Sequence, residues 1–140
     1  MIRVMTDNAA NLPPELREQY NIRELCLTYT VDGRLIDGSA PFDGHDFYEA
    51  MRRGAEVKTS MVSMTDFCEA FEPWVEKGNA VIYVGMSGGI SGTANAAKLA
   101  AEELLEQYPS AKIATIDTYA ASLGEGMLVI EAAKMIERGD

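Results

Sequence analysis

The sequence predicts an α/β fold of three layers (α/β/α), in which helices cover both faces of a mostly parallel sheet. Apolar, β-branched segments of strand length alternate along the 140 residues with segments of helical periodicity. This alternation is typical of parallel sheets, because the crossover between two parallel strands usually contains a helix. Polar residues follow several of the predicted strands directly. Since parallel strands end at one edge of their sheet, a ligand site is expected there.

The first half of the chain begins with a strand and a proline-initiated helix. The predicted elements are, in order, a strand over 2–6, a polar loop over 7–14, a helix from Pro13-Pro14 to about Gln19, a strand over 25–31, and a short second arm around Leu35-Ile36. Proline favours the first turn of a helix, where its missing N–H is not needed. Asp32-Gly33 is typical of a two-residue hairpin turn and connects the last two segments.

The middle and second half continue the alternation. The predicted elements are a helix from Asp43 or Gly44 to about Gly54, a hydroxyl-rich loop over 58–63, a helix that begins at Ser63, a buried strand over 81–86, a long helix over 94–108, a buried strand over 112–117, and a last helix over 127–138 preceded by Ser122–Gly126. Asp66 lies three residues after Ser63, which resembles a capping box.

The segment Gly85–Thr93 is the most informative part of the sequence. It has the sequence Gly-Met-Ser-Gly-Gly-Ile-Ser-Gly-Thr and lies between a predicted strand and a predicted helix. Backbone N–H groups, hydroxyl groups and the positive end of a helix dipole therefore point to one place. This arrangement suits an anionic group, either a phosphate or a carboxylate.

Charge and hydropathy limit the classes of function. The net charge of −10 argues against nucleic acid and against an anionic membrane surface, because both need clustered Lys and Arg. No apolar run approaches the roughly 20 residues of a membrane span. The first residues enter a strand directly, without the apolar core of a signal peptide. We therefore expect a cytoplasmic protein.

A serine hydrolase is one interpretation of the same segment. Gly85–Gly89 matches the nucleophile pattern G-x-S-x-G, with Ser87 as the nucleophile. In such enzymes the histidine follows the serine along the chain, but the single histidine, His45, precedes it. An accidental match is therefore favoured over an active site.

Nucleotide and metal sites find less support. The phosphate-loop order G-x-x-x-x-G-K-[ST] is absent, and the first lysine after the glycines is Lys98. Asp7 and Asp117, at two strand ends, could hold a metal, although such carboxylates more often cap neighbouring loops. We expect neither a metal nor another cofactor.

Capture of a carboxylate by uncharged donors is the third interpretation. Thr59, Ser60 and Ser63 form one cluster of hydroxyl groups, while Ser87, Ser91 and Thr93 form another. If both clusters border one cleft, a monoanionic head group fits between them. The simpler interpretation is that Ser63 and Ser91 cap the helices that follow them.

An aliphatic tail on such a ligand would need an apolar slot. Methionine lines adaptable cavities, and alanine leaves room beside a helix. The candidates for this lining, which on periodicity alone are more simply core, are Met51, Met61, Met64, Phe67, Phe71, Ala96, Ala97 and Ala100.

Four motifs, in order, resemble those of the DegV family. Thr6–Pro13 resembles its TD-x-x-x-DLP opening, Thr59–Ser63 its TS-x-x-S motif, Ser87–Thr93 its S-x-x-[LI]-SGT motif, and Ile116–Thr118 with Gly124 and Gly126 its IDS…G-x-G motif. The match extends over the whole chain. One departure is Asn11, which stands where the family usually has Asp.

The resemblance implies a bacterial, non-catalytic protein that binds a long-chain fatty acid, some relatives being the acyl-carrying subunit of a fatty acid kinase. It implies that the carboxylate lies near the TS and SGT motifs, with Thr59 and Ser91 as the main donors. Further site residues are Ser60, Gly92, Thr93 and Ser63, together with Asp7, whose simplest role is to shape its loop. Residues 1–140 resemble the N-terminal domain alone. The expected partners are therefore the lipid, a kinase subunit and, if apolar surface is exposed, a second copy.

Two alternatives stay open at this point. The first is a hydrolase or phosphoryl-transfer enzyme that uses Ser87 or Ser91. The second is a non-catalytic interaction module.

Overall fold

The structure is a computed structural model that describes residues 1–36 and 42–140. The described residues form seven strands: β1 (Ile2–Asp7), β2 (Arg23–Leu25), β3 (Thr28–Val31), β4 (Arg34–Ile36), β5 (Val57–Ser60), β6 (Ala80–Gly85) and β7 (Lys112–Asp117). They also form five α-helices: α1 (Pro14–Gln19), α2 (Gly44–Arg52), α3 (Met64–Val75), α4 (Thr93–Gln107) and α5 (Leu123–Arg138). A 3-10 turn, Asn8–Ala10, follows β1.

The main sheet has four parallel strands in the order β2-β1-β6-β7. β1 pairs with both β2 and β6, and β6 pairs with β7. The chain leaves β1 toward β2 on one side, whereas β6 lies on the other side of β1. Since β6 continues to β7, farther from β2, the connections after β1 and β6 run in opposite directions along the sheet, and α/β proteins bind ligands beyond the strand ends at such a point.

Helices cover both faces of the main sheet, which confirms the predicted α/β fold. Residues alternate between the two faces along β1, so that Met5 packs with α3 and α4, while Val4 packs with α5. The cluster on the α3–α4 face contains Phe67, Phe71 and Tyr83, all fully buried. The opposite cluster is smaller and is built largely from aliphatic side chains.

A second sheet of three antiparallel strands, in the order β4-β3-β5, lies beside the first. The predicted hairpin at Asp32-Gly33 is confirmed, because both residues have the positive φ angles, 49° and 77°, that a tight hairpin turn requires. The prediction of one strand over 25–31 was wrong, since β2 and β3 belong to different sheets. Between these two strands, the Leu27 amide donates to Asn8 Oδ1 at 2.9 Å instead of to a neighbouring strand.

Two further boundaries differ from the prediction. The segment 58–63 was expected to be a loop, but its first half belongs to β5, which pairs with β3. Such pairing between distant segments is not visible in local polarity. The last helix begins at Leu123, four residues early, because Gly126 lets its first turn approach the 3-10 turn: a β-carbon at Gly126 would lie 2.8 Å from the Ala10 carbonyl oxygen. Here tertiary packing outweighs the low helix propensity of glycine.

In the described part of the chain, no helix is both long enough and apolar enough to cross a bilayer.

Candidate functional site

Three loops meet at the carboxyl edge of the main sheet, as the sequence predicts. The loop after β6 is joined to the loop after β7 by the Ser87 amide, which donates to the Ala120 carbonyl at 2.8 Å. The Ser122 amide donates to the Ala9 carbonyl at 2.9 Å and so joins the loop after β7 to the turn after β1. These bonds run between backbone groups, and they fix the shape of the edge.

Asp7 lies beneath this edge and is fully buried. Its Oδ1 accepts from the Ala9 amide at 3.0 Å, and its Oδ2 accepts from the Tyr83 hydroxyl at 2.6 Å and from the Met86 amide at 3.1 Å. The carboxylate thus organises the turn after β1 and the start of the loop after β6. This is the loop-shaping role that the sequence suggested for Asp7.

Asp117 has a similar role at the end of β7. Its two carboxylate oxygens accept from the Gly88 amide at 3.0 Å and from the Tyr119 amide at 2.9 Å. Within residues 1–36 and 42–140, no three His, Cys, Asp or Glu side chains come together as metal ligands. In the structure, both strand-end carboxylates accept hydrogen bonds from neighbouring loops.

The SGT segment (Ser91–Thr93) forms the start of α4. Ser91 was expected to be the N-cap of this helix, but the N-cap is Gly92, which has no capping side chain. Ser91 instead acts from one residue earlier, where its Oγ accepts from the Thr93 amide at 3.2 Å and lies 2.8 Å from Thr93 Oγ1. Thr93 is buried, whereas Gly92 is exposed and Ser91 is half-buried.

The TS segment (Thr59–Ser60) lies on β5, an edge strand of the small sheet, and both of its residues are exposed. Met61 follows directly and packs on the SGT segment: a β-carbon built on Gly92 would lie 2.7 Å from the Met61 sulfur. The structure therefore brings the segments that carry Thr59 and Ser91 side by side, although they are about 30 residues apart in sequence.

Ser63 is part of a complete capping box at the start of α3. Its Oγ accepts from the Asp66 amide at 3.1 Å, and the Asp66 Oδ2 accepts from the Ser63 amide at 3.0 Å. The capping interpretation of Ser63 is therefore confirmed.

The geometry does not assemble a serine nucleophile with a base. Ser87 is buried, and its Oγ accepts from the Gly89 amide at 3.2 Å. His45, the single histidine, lies exposed on α2, where its Nδ1 contacts Asp46 at 3.2 Å. The hydrogen bonds of these two side chains thus join each to a near neighbour in sequence rather than to one another.

The residues proposed to line an apolar slot fall into two groups. The first group is closely packed core, with at most 2% exposure: Phe67, Phe71, Ala96, Ala97 and Ala100. The methionines are more accessible, since Met51 and Met61 are exposed by almost half and Met64 packs at the margin of the core. The accessible methionine that adjoins both hydroxyl segments is Met61.

Sequence reasoning missed Glu125, which is fully buried at the start of α5. Its Oε1 accepts from the Thr6 hydroxyl at 3.2 Å. Burial, followed by the charge of Asp7, raises the pKa of Glu125 to about 8. In the sequence, Glu125 resembles an ordinary acidic residue of a first helical turn, and the flanking Gly124 and Gly126 are the signal for its close packing.

The comparison with protein families decides the relationship. A family described as an uncharacterised protein family, DegV, matches residues 1–140. The chain belongs to the DegV family. A DegV domain-containing protein of Clostridium perfringens is 40% identical over 138 residues, and the protein YteA of Lactococcus lactis is 35% identical over 139 residues. These alignments cover 97% and 98% of this chain but 47% and 48% of the relatives. The chain thus spans about half the length of the curated relatives it matches.

Solved structures of DegV proteins share this fold. A DegV-family protein of Thermus thermophilus, whose structure is described as showing fatty acid binding, superimposes on this chain with a TM-score of 0.88 at 31% identity. A stearic acid-binding protein of Eubacterium ventriosum superimposes with a TM-score of 0.90 at 26% identity. Each superposition covers 99% of this chain and 48% of the other chain. Similar DegV proteins therefore bind fatty acids.

Proposed function

We propose that this DegV-family chain binds a long-chain fatty acid, whose carboxylate is held by the TS and SGT segments. The observation that carries the proposal is the contact of Met61 with Gly92, which makes the two hydroxyl segments neighbours. The description of similar DegV proteins as fatty acid-binding proteins supports the choice of ligand. Thr59 and Ser91 are the main donors in this proposal, and Ser60, Gly92 and Thr93 are secondary ones.

The donors in this proposal are uncharged. Lys58, the residue before Thr59, pairs with Glu56 at 3.1 Å, and the chain as a whole carries a net charge of −10. Hydrogen bonds to a charged group contribute about 1.5–3 kcal/mol each, so a few hydroxyl and amide donors suffice for a carboxylate. If Thr93 Oγ1 donates to Ser91, the Ser91 hydroxyl hydrogen is left for the ligand. The dipole of α4, which begins at Thr93, adds to this attraction.

The aliphatic tail would leave this head-group site over apolar side chains. Met61 is 48% exposed and Ile90, next to Ser91, is 66% exposed. The core residues Phe67 and Phe71 are fully buried and therefore inaccessible to a ligand. We propose that the tail first contacts Met61 and Ile90. A slot into the core would require the side chains of α3 and α4 to separate.

The wider role follows from the same proposal. The chain binds the lipid without transforming it, in the cytoplasm, and presents the carboxylate to a separate kinase subunit. Residues 1–140 form one domain that corresponds to the N-terminal domain of the longer relatives, and a second copy covers exposed apolar surface. Ser63 and Asp7 support the site through a helix cap and through a loop, and neither touches the ligand.

Native mass spectrometry tests the proposal. The chain, expressed in bacteria and purified without detergent, is expected to carry an adduct with the mass of a C14–C18 fatty acid. Thr59→Val keeps the β-branched shape that suits an edge strand but removes the hydroxyl. The double variant T59V/S91A should lose the adduct, whereas S63A, which also removes a hydroxyl at a helix start, should keep it. A wild-type chain without lipid, or a double variant that retains it, contradicts the proposal.

The alternatives give different results in the same preparation. Hydrolysis of a simple ester that is lost in Ser87→Ala would favour an enzyme. Absence of both lipid and turnover, combined with a tight protein partner, would favour an interaction module.

A further inference from the structure

The buried carboxyl group of Glu125 lacks half of its hydrogen bonds. Its Oε1 accepts from the Thr6 hydroxyl, but among the described residues its Oε2 has no partner and is inaccessible to water. A buried polar atom without a partner costs about 1–3 kcal/mol, and more if it is charged. The structure therefore requires an explanation for Oε2.

The charged group that acts most directly on Glu125 is the carboxylate of Asp7, on the adjacent strand β1. Asp7 is also fully buried, and it already accepts hydrogen bonds from two amides and from the Tyr83 hydroxyl. On β6, the Tyr83 hydroxyl donates a hydrogen bond to Asp7, and the charge of Asp117, on β7, acts on Tyr83. On β2, Glu24 is a further acidic neighbour of Asp7, since burial and then the charge of Asp7 raise the pKa of Glu24.

We propose that Glu125 is neutral at physiological pH and donates a hydrogen bond from its protonated Oε2 to the Asp7 carboxylate, which fixes the position of Asp7 under the loop after β6. Two ionised carboxylates in one water-free site would repel each other at a large cost in free energy. One proton between them removes this repulsion, gives Oε2 a partner and gives Asp7 a further donor. Asp7 already accepts three hydrogen bonds from other donors, so it is the acceptor in this pair. Glu125, which accepts one hydrogen bond, keeps the proton.

The direction of the pKa of Glu125 agrees with this assignment. Burial raises it most, the charge of Asp7 and the hydrogen bond with Asp7 raise it further, and the Thr6 hydroxyl lowers it, which together give about 8 against the ordinary 4.5. Between these two values the folded chain holds a proton that the unfolded chain has lost. Raising the pH through this window therefore favours unfolding: the unfolding equilibrium constant increases by up to about tenfold per pH unit.

Glu125→Gln is the diagnostic variant. Its amide oxygen can accept from Thr6 and its amide nitrogen can donate to Asp7, as the neutral acid does, but it does not titrate. The measurement is urea unfolding of the lipid-free chain between pH 5 and pH 9. Up to about pH 8, the unfolding equilibrium constant of the wild type should rise relative to that of E125Q. Above that pH, the two constants should change with pH in the same way. Glu137→Gln, an exposed change on the same helix, should keep the wild-type pH dependence.

Parallel pH profiles for wild type and E125Q would overturn the proposal. A second measurement needs no variant: in carbon-13 spectra of the wild-type chain labelled at glutamate side-chain carboxyls, one carboxyl should remain protonated at pH 6.5 and ionise near pH 8. Spectra in which every glutamate is ionised at pH 6.5 would also overturn it. Both experiments are done without fatty acid, so their outcome does not depend on the proposed lipid site.

Discussion

Met61 packs directly on the backbone of Gly92, so closely that a β-carbon at Gly92 would lie 2.7 Å from the Met61 sulfur. This contact joins the small antiparallel sheet, which carries Thr59, to the first turn of α4, which follows Ser91. The contact is possible because residue 92 has no side chain. Gly92 has a φ of −70°, so the close approach of Met61, rather than an unusual backbone conformation, explains the glycine.

We predict that Gly92→Ala displaces Met61 from the proposed head-group site, which weakens fatty acid binding and also lowers the unfolding free energy modestly. The backbone accepts alanine, and the flexible end of Met61 moves at a cost of about 0.5–1.5 kcal/mol if it leaves its preferred rotamer. In the Met61→Ala background this cost should vanish. Displacement of a fluorescent fatty acid by palmitate, measured for the wild type, G92A, M61A and the double variant, tests whether the effects of the two substitutions are coupled. An equal loss of affinity in both backgrounds would show that Met61 is not responsible.

Gly85→Ala is predicted to destabilise the fold strongly. A β-carbon there would lie 2.2 Å from the hydroxyl oxygen of Tyr83, which is fully buried and bonded to Asp7. Forced overpacking costs about 1–3 kcal/mol of unfolding free energy, measurable by urea denaturation. Gly89→Ala is the matched control, because its β-carbon meets only Ser87 Oγ, at 3.4 Å. Similar stabilities for the two variants would contradict the packing described for Tyr83.

Tyr83→Phe should reduce the unfolding free energy by about 1.5–3 kcal/mol, because the buried Asp7 carboxylate loses a hydroxyl donor at 2.6 Å. Tyr108→Phe is the comparison, since the Tyr108 hydroxyl donates at 3.0 Å to Glu72 in a more accessible place. Its loss should be smaller. A Tyr83→Phe chain as stable as wild type would mean that Asp7 does not need this donor.

Much of the fold was predictable from the sequence, because its strong periodic segments carry their own signals. The strands β6 and β7 and the alanine-rich helix α4 lie within a residue or two of their predicted bounds. The prediction that β7 is buried was wrong, because β7 is the edge strand of the main sheet and Ile116 is 42% exposed. The split between β2 and β3 was not predictable, because the Asn8 side chain, which binds the Leu27 backbone between them, comes from a different loop. Likewise, β5 is a strand only because β3 lies beside it.

The candidate site was predictable in its components but not in its contacts. The hydroxyl residues of both segments are visible in the sequence, as is the rule that ligands bind beyond strand ends. Tertiary packing produces the contact of Met61 with Gly92 and the burial of Glu125 near Asp7. No local sequence pattern predicts either of them. The capping role of Ser63 was the easier inference, because its partner Asp66 is three residues away.

Ser63→Ala is predicted to cost about 1 kcal/mol of unfolding free energy without altering fatty acid affinity. The capping box at the start of α3 accounts for the loss. Thermal or urea unfolding measures the stability, and the palmitate displacement titration measures the affinity. A Ser63→Ala chain that is stable but binds poorly would place Ser63 in the ligand site instead.

The most direct measurement is the carbon-13 signal of carboxyl-labelled palmitic acid bound to the wild-type chain and to T59V, S91A and S63A. The account predicts a distinct bound carboxylate signal that T59V and S91A each shift, with affinity weakened roughly tenfold or more for a lost charge-assisted hydrogen bond, while S63A leaves the signal in place. A bound signal that is the same in all four chains would contradict the claim that Thr59 and Ser91 hold the carboxylate.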